Sequence, residues 1–392
     1  MTNDRRERIR QRLRAVAVNG AIAFGALGVG LLIAEGAVRL LAPQQLIQIR
    51  PDIWQPADSV GWLHRAGVNT TINTGERTVG IVTDRDGFRV SRNGRTDAAT
   101  QVLLVGDSFL EALQVEYDES LAGLLEPRLA EAAGRPVAVR NAANGGWGPN
   151  QYFLRTRSLV ERDSFALVVV GLFMENDAIE LRWRRMPPRA PVERNRFHVP
   201  RGLGWRELVD AFLAPVNDFF EVRSHLFVLL KNRLGTLRLR LGLTPAYFPV
   251  EFLKHEADGK RWTITADICR DLARAAAARG TPTLFVLIPT GFQVDPETFA
   301  QQVVGFGVDS TTVDLDQPNR RLAEELEARG LTVVDALPAF RAARANGKRL
   351  YGTVDPHLSP AGHSVLTSVV APVAAELLDC RSAIADCTLQ ID

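Results

Sequence analysis

The apolar run Val102–Val105 breaks at Gly106-Asp107-Ser108, and an apolar–acidic pattern resumes at once. A turn accounts for the glycine and the aspartate; a nucleophile held at a strand end accounts for all three. A serine hydroxyl attacks only when a base within hydrogen-bond reach takes its proton, and that base needs a partner to fix its tautomer. Asp355-Pro356-His357 offers such a base and such a partner in one loop. Two further clusters, Asn141–Gly148 and Glu175-Asn176-Asp177, are rich in groups that can donate to a developing negative charge. Glycine lets backbone approach a substrate closely, and asparagine supplies N–H without charge. His363 competes with His357 as base, although its place beyond Pro360 at the start of a helix suits packing or capping. His64, His198, His225 and His255 show no partner pattern and read as surface or core residues. Asp107, Asp177 and Asp335 read as caps or loop structure. Trp147 reads as either a pocket wall or a packing residue.

Strands must carry these clusters. QVLLVG, VAVRN (Val137–Asn141), FALVVVGLF (Phe165–Phe173), TLFVLIP and LTVVDA (Leu331–Ala336) are short runs rich in valine and leucine. Apolar on both faces, they suit central parallel strands. Helical patterns lie between them: Leu121, Leu124, Leu125 and Leu129 share a face, and Trp262–Arg279 and Asn319–Arg329 are similar stretches. The alternation predicts an α/β fold, a doubly wound parallel sheet of about five strands. Ligands of such sheets bind beyond the carboxyl ends of the strands, and all four polar clusters fall at strand ends, on one rim. The spacing is interrupted once: about 110 residues separate the third strand from the fourth, far more than a crossover needs. That segment, with RWRRMPPRAPVERNRFHVPRG and ELVDAFLAPVNDFFEVRSHLFVLLKNRL, reads as an inserted helical cap over about 178–261. Its arginines form either a solvated loop or a greeting for an anionic substrate.

Over Gly87–Leu378 the chain resembles the SGNH hydrolase superfamily, the GDSL-type esterases and acyltransferases. GDSF stands at that family's first block, NGGWGPNQ at its glycine block, MENDA at its asparagine block and DPHLSPAGH at its final Asp–His block. DGFR at Asp86–Arg89 is similar to the lead-in of envelope-associated members, and Phe109 replaces the usual leucine. The resemblance implies Ser108 as nucleophile, His357 as base and Asp355 as its orienting partner. It implies an oxyanion hole from the backbone N–H of Ser108 and Gly146 and the side-chain amide of Asn176, with Gly145 and Gly148 competing for the glycine's place. No metal or cofactor is implied. The implied activity is ester hydrolysis through an acyl-enzyme, on O-acyl (acetyl) groups of an envelope carbohydrate or lipid. Acyl transfer to or from a polysaccharide is the main alternative, and a non-catalytic envelope protein that binds glycan or scaffolds an assembly is a third. An α/β-hydrolase also uses serine, aspartate and histidine, but within G-x-S-x-G; here Leu110 stands where the last glycine would, and GHSVL at Gly362 fails likewise.

Composition bounds the rest. The 392 residues are 46% hydrophobic and 23% charged with a net charge of +2, a globular balance. Residues 1–14 hold six arginines against Asp4 and Glu7, or +4, which leaves −2 for the remainder and no nucleic-acid-binding body. Ala15–Ala34 carries no charge; as a helix it spans about 30 Å, the thickness of a bilayer core. The run is long for the apolar core of a signal peptide, and no clear small-x-small site follows it. The arginine excess predicts a cytoplasmic N-terminus by the positive-inside rule, with the body outside the membrane. The expected organisation is a basic head (1–14), a membrane anchor (15–41), a linker and small β-rich lead-in (42–99), a catalytic domain (100–379) and a tail (380–392). Cys380 and Cys387 are placed to close a small loop in an oxidising space. Cys269 is expected to be buried, and no ligand spacing suggests zinc.

Overall fold

A computed structural model describes residues 3–44, 46, 50, 52–94, 98–177, 213, 216–217, 219–221, 223–241, 253, 259–300 and 309–382. The five valine- and leucine-rich runs form five parallel strands: β6 (Thr100–Val105), β7 (Val137–Asn141), β8 (Leu167–Phe173), β9 (Thr283–Ile288) and β10 (Thr332–Asp335). Their spatial order is β7-β6-β8-β9-β10, with parallel pairing throughout. The order reverses beside β6, the topological switch point at which such sheets bind ligands.

Side chains of β6 show why both faces are covered. Val102 and Leu104 join one core, with Leu121, Leu125, Val365 and Leu366; Leu103 and Val105 join the other, with Tyr152, Leu159, Trp262 and Leu322. Successive strand residues point to opposite faces, so each face needs its own helices. α3 (Leu121–Ala133) and α10 (Pro360–Ser382) pack on the first; α4 (Pro149–Arg162), α6 (Lys260–Ala277) and α8 (Gln317–Glu327) cover the second. Cys269 of α6 is buried, and burial pushes its thiol well above the ordinary range.

The sheet is larger than about five strands. β3 (Asn69–Asn73), β4 (Thr78–Thr83) and β5 (Arg89–Val90) extend it antiparallel beyond β7, through the pair Arg89↔Asn141, to eight strands. These strands alternate and turn one side inward: Ile72, Val79 and Ile81 join Ile53, Val68 and Leu113 in a third cluster. An antiparallel edge on a parallel sheet is a common mixed form. β1 (Trp54–Ala57) and β2 (Gly61–His64) make a separate hairpin.

The N-terminal helix α1 (Asn3–Leu41) has 39 residues, about 58 Å of helix. Its stretch Arg12–Leu41 is long and apolar enough to cross a membrane, and its most apolar 18 residues include none that is buried. This is compatible with membrane anchoring. Pro360–Asp379 passes the same test of length and composition, but it is the core helix α10, with Leu366, Val370 and Ala374 buried. Of the expected cap, 178–212 and 242–252, the arginine-rich loop among them, lie outside the described residues, as do His198, His255, Cys387 and the side chain of Cys380. The described part includes α5 (His225–Arg240), which packs against α1.

Candidate active site

β6 stops at Val105 because Gly106 and Asp107 turn the chain into the short helix α2 (Ser108–Glu111). Asp107 caps it, its Oδ1 accepting from the Phe109 N–H at 2.9 Å. The turn is pressed onto the sheet: a Cβ on Gly171 of β8 would lie 2.4 Å from Leu110 Cδ1. As the first residue of α2, Ser108 has a backbone N–H with no intrahelical acceptor.

The helix leaves through Ala112, whose φ of 58° is left-handed, costly for a residue with a Cβ. Arg89 holds it there. Its guanidinium, almost fully buried, donates to the carbonyls of Glu111 at 2.8 Å, of Val115 at 2.5 Å and of Ala112. Burial pushes that guanidinium down to about 10, which leaves it charged near neutrality. Arg89 closes the DGFR lead-in, and its role in holding the turn was not legible in the sequence.

His357 arrives on the loop before α10. Its Nε2 lies 2.8 Å from Ser108 Oγ, and its Nδ1 is hydrogen-bonded to Asp355 Oδ1, which also accepts from the His357 backbone N–H at 3.1 Å. Burial opposes the charge on both groups, yet their mutual contact outweighs it. The Asp355 carboxyl is held below its ordinary range and the His357 ring is raised above its own. The Phe109 ring stacks on Phe173 at 3.6 Å and lies 4.7 Å from the His357 ring, walling the imidazole on one side.

The donor groups are arranged around Asp107. Asn176 Nδ2 donates to Asp107 Oδ2 at 3.2 Å, which leaves its second amide hydrogen available. Burial raises the Asp107 carboxyl to about 6 and also raises that of Glu175. Asp107 is therefore both the cap expected of it and the group that positions Asn176. In the glycine loop, Ala143 N–H is taken by Asn141 Oδ1, Asn144 N–H by the Gly106 carbonyl and Gly148 N–H by Gln151 Oε1. The N–H groups of Gly145 and Gly146 meet no acceptor among the described residues. A Cβ on Gly145 would stand 3.6 Å from Ser108 Cβ and 2.7 Å from Glu111 Oε2, whereas one on Gly146 would face Trp62 at 3.3 Å. Gly145 is thus the nearer neighbour of the serine.

Among the remaining groups, His64 is a core residue with a buried partner. It is buried, and its Nε2 lies 2.6 Å from Glu111 Oε1, which also accepts from Trp54 Nε1 at 2.9 Å. That buried cluster ties the β1–β2 hairpin to the serine's helix, and a histidine 47 residues from its partner gives no local pattern to read. His363 holds a helix start instead: its Nδ1 accepts from the Leu121 N–H at 3.3 Å, and burial pushes it down to about 3. Asp177 accepts from Tyr152 Oη at 2.9 Å and from the Phe173 N–H at 2.7 Å. Asp335 accepts from the Leu337 N–H at 3.0 Å. Trp147 is fully buried, a packing residue, and His225 Nδ1 accepts from the Gln44 N–H at 2.7 Å.

The family model described as SGNH hydrolase-like domain, acetyltransferase AlgX, matches residues 247–383, which include Asp355 and His357. No curated protein matches the chain in sequence. Among solved structures, a catalytic mutant of an acetylxylan esterase from Geobacillus stearothermophilus is 12% identical over 73% of this chain and 96% of its own, with a TM-score of 0.36. A lipolytic protein of the G-D-S-L family from Veillonella parvula is 10% identical over 70% of this chain and 98% of its own, at 0.36. A GDSL-like lipase from Bacteroides thetaiotaomicron is 13% identical over 71% and 88%, at 0.33.

Proposed function

Since residues 247–383 match an SGNH hydrolase-like domain, we propose that the chain is a serine-dependent ester hydrolase acting through an acyl-enzyme. The observation that carries this reading is the continuous contact from Ser108 Oγ through the His357 ring to Asp355. Ser108 Oγ attacks the ester carbonyl carbon while His357 Nε2 takes its proton. Asp355 holds the ring with Nε2 facing the serine and favours the imidazolium that forms. The tetrahedral oxyanion is met by the N–H of Ser108, a glycine N–H of the 145–146 pair and the free amide hydrogen of Asn176. Collapse expels the alkoxide, which takes the proton from His357, and leaves the acyl group on Ser108. A water deprotonated by His357 then attacks the acyl carbon and regenerates the serine.

The substrate proposed is an O-acyl, most simply O-acetyl, group of an envelope carbohydrate or lipid. The acetyltransferase named in the matching family description supports acetyl chemistry, and it favours a second reading in which a sugar hydroxyl replaces water in the last step. The arginine-rich head and the apolar α1 support a single-pass anchor with its N-terminus in the cytoplasm and the catalytic domain outside. The test is a fluorophosphonate probe on the full chain beside Ser108→Ala, with release from a short aryl acetate followed in parallel. Labelling and release both lost in the mutant is the expected result. Labelling with little release favours the transferase, and no labelling of a folded chain leaves the glycan-binding reading.

A further inference from the structure

Helix α5 is pinned to α1 by a carboxylate. Glu35 of α1 accepts from Ser224 Oγ at 2.7 Å, from the Leu226 N–H at 2.9 Å and from the His225 N–H at 3.0 Å. These backbone donors are the orphans of the first turn of α5, where the helix dipole also favours an acid. Arg39, one turn further along α1, donates to the Arg223 carbonyl at 2.6 Å. The start of α5 is thus fixed where the apolar run of α1 ends.

From that point α5 presents an uncovered apolar stripe. Leu230, Leu234, Leu237 and Leu241 are 50–63% exposed. At about 100° per residue the four fall within roughly 60° of one another around the axis. Arg238 and Lys231, the latter ion-paired with Glu221, flank the stripe on one side and Arg233 on the other, each about 70–90° from its centre, and all three are exposed. His225–Leu241 contains no aspartate or glutamate. Just before it, Leu213, Val216, Phe219 and Phe220 are also exposed. Leu40 and Leu41, at the end of α1, are each 84% exposed, so the apolar surface of α5 continues that of the anchor. Leucines bordered on both sides by basic groups suit a bilayer interface. The leucines enter the acyl boundary while lysine and arginine reach out to anionic headgroups.

We propose that α5 lies in the membrane interface on anionic phospholipid, beside the exit of α1, as a second attachment. This rests on the reading of α1 as a membrane span, and the test separates the two. The full chain, carrying Cys269→Ser, Cys380→Ser and Cys387→Ser, is placed in nanodiscs of phosphatidylcholine and phosphatidylglycerol. A nitroxide is attached at Leu31→Cys, Leu234→Cys or Asn232→Cys, the last on the opposite side of α5. Accessibility to oxygen is measured against that to a nickel chelate. The expected ratio is several-fold higher at 31 and 234 than at 232. Removing phosphatidylglycerol, or substituting Lys231→Gln, Arg233→Gln and Arg238→Gln together, is expected to lower the ratio at 234 and leave that at 31 unchanged. A label at 234 as wet as that at 232, with 31 in lipid, overturns the proposal while keeping the anchor. Both 31 and 234 in water overturns anchor and proposal together. A ratio at 234 indifferent to lipid charge and to the three substitutions overturns the assignment to anionic lipid.

Discussion

Arg89→Met tests whether a buried cation, rather than local propensity, holds the serine's helix in place. The guanidinium donates to three carbonyls, those of Glu111, Ala112 and Val115. Hydrogen bonds to a charged group contribute about 1.5–3 kcal/mol each, and each carbonyl left buried without a partner costs about 1–3 kcal/mol. Against this, the burial that lowers the Arg89 pKa to about 10 is a desolvation penalty, and methionine, similar in length, escapes it. With three carbonyls each left at the low end of that cost, the net loss is about 3 kcal/mol. Arg89→Lys keeps the charge without the planar fork and is expected to lose roughly half as much. Ala112→Gly, which relieves the left-handed φ of 58°, should restore about 1 kcal/mol in the Arg89→Met background. The assay is urea unfolding of the full chain in detergent micelles by tryptophan fluorescence, beside the rate of fluorophosphonate labelling, which should fall with the stability. An Arg89→Met protein within about 0.5 kcal/mol of the parent, labelled at the parental rate, would refute the reasoning.

The base must be neutral to accept the serine proton, and contact with Asp355 raises His357 above its ordinary 6.5. The acid limb of kcat/KM is therefore expected above that value, with activity lost as pH falls through it. Asp355→Asn should move the limb down and lower kcat by about 10⁴; an unmoved limb would show that Asp355 does not set the ring's charge. Gly145→Ala puts a methyl against Glu111 and beside Ser108, so it should abolish labelling more severely than Gly146→Ala. The latter meets mainly the strain of a φ of 75°, about 1–2 kcal/mol, and should show most clearly as a lower melting temperature. His363, pushed down to about 3 by burial, is neutral in the fold and takes a proton more readily when unfolded. Its contribution is whole above the unfolded value of 6.5 and is lost below it, at up to about 1.4 kcal/mol per pH unit. His363→Asn should flatten that part of the stability–pH curve, and an unchanged slope would assign the acid lability to other groups.

The five parallel strands were legible because each is apolar on both faces, a texture that helices on both sides of a sheet impose. β3–β5 were legible only as a small β-rich lead-in and not as an extension of the sheet, because they are buried on one side: Val79 and Ile81 are buried while Thr78 is exposed, and such a run carries no continuous apolar signal. The order of the polar clusters along the chain located Ser108, Asn176, Asp355 and His357 on one rim. It could not choose among glycines, since which N–H is left without an acceptor depends on how the 142–148 loop folds back on Gly106 and Gln151. Nor could it find Arg89, Glu111 or His64 as supports. A charged residue in sequence reads as solvated, and only the three-dimensional fold shows that these are enclosed and paired.

The serine and its base stand 249 residues apart, on the first and last crossings of the parallel sheet. His357 is delivered by the loop that leads into α10, and α10 docks on α3 to complete one face of the core. A growing chain therefore contains Ser108 long before His357 can reach it. On the proposed function, reactivity appears only when the closing helix has seated. A nascent or prematurely terminated polypeptide would then carry an inert hydroxyl, and the Ser108–His357 contact would double as a readout that synthesis and folding have both finished.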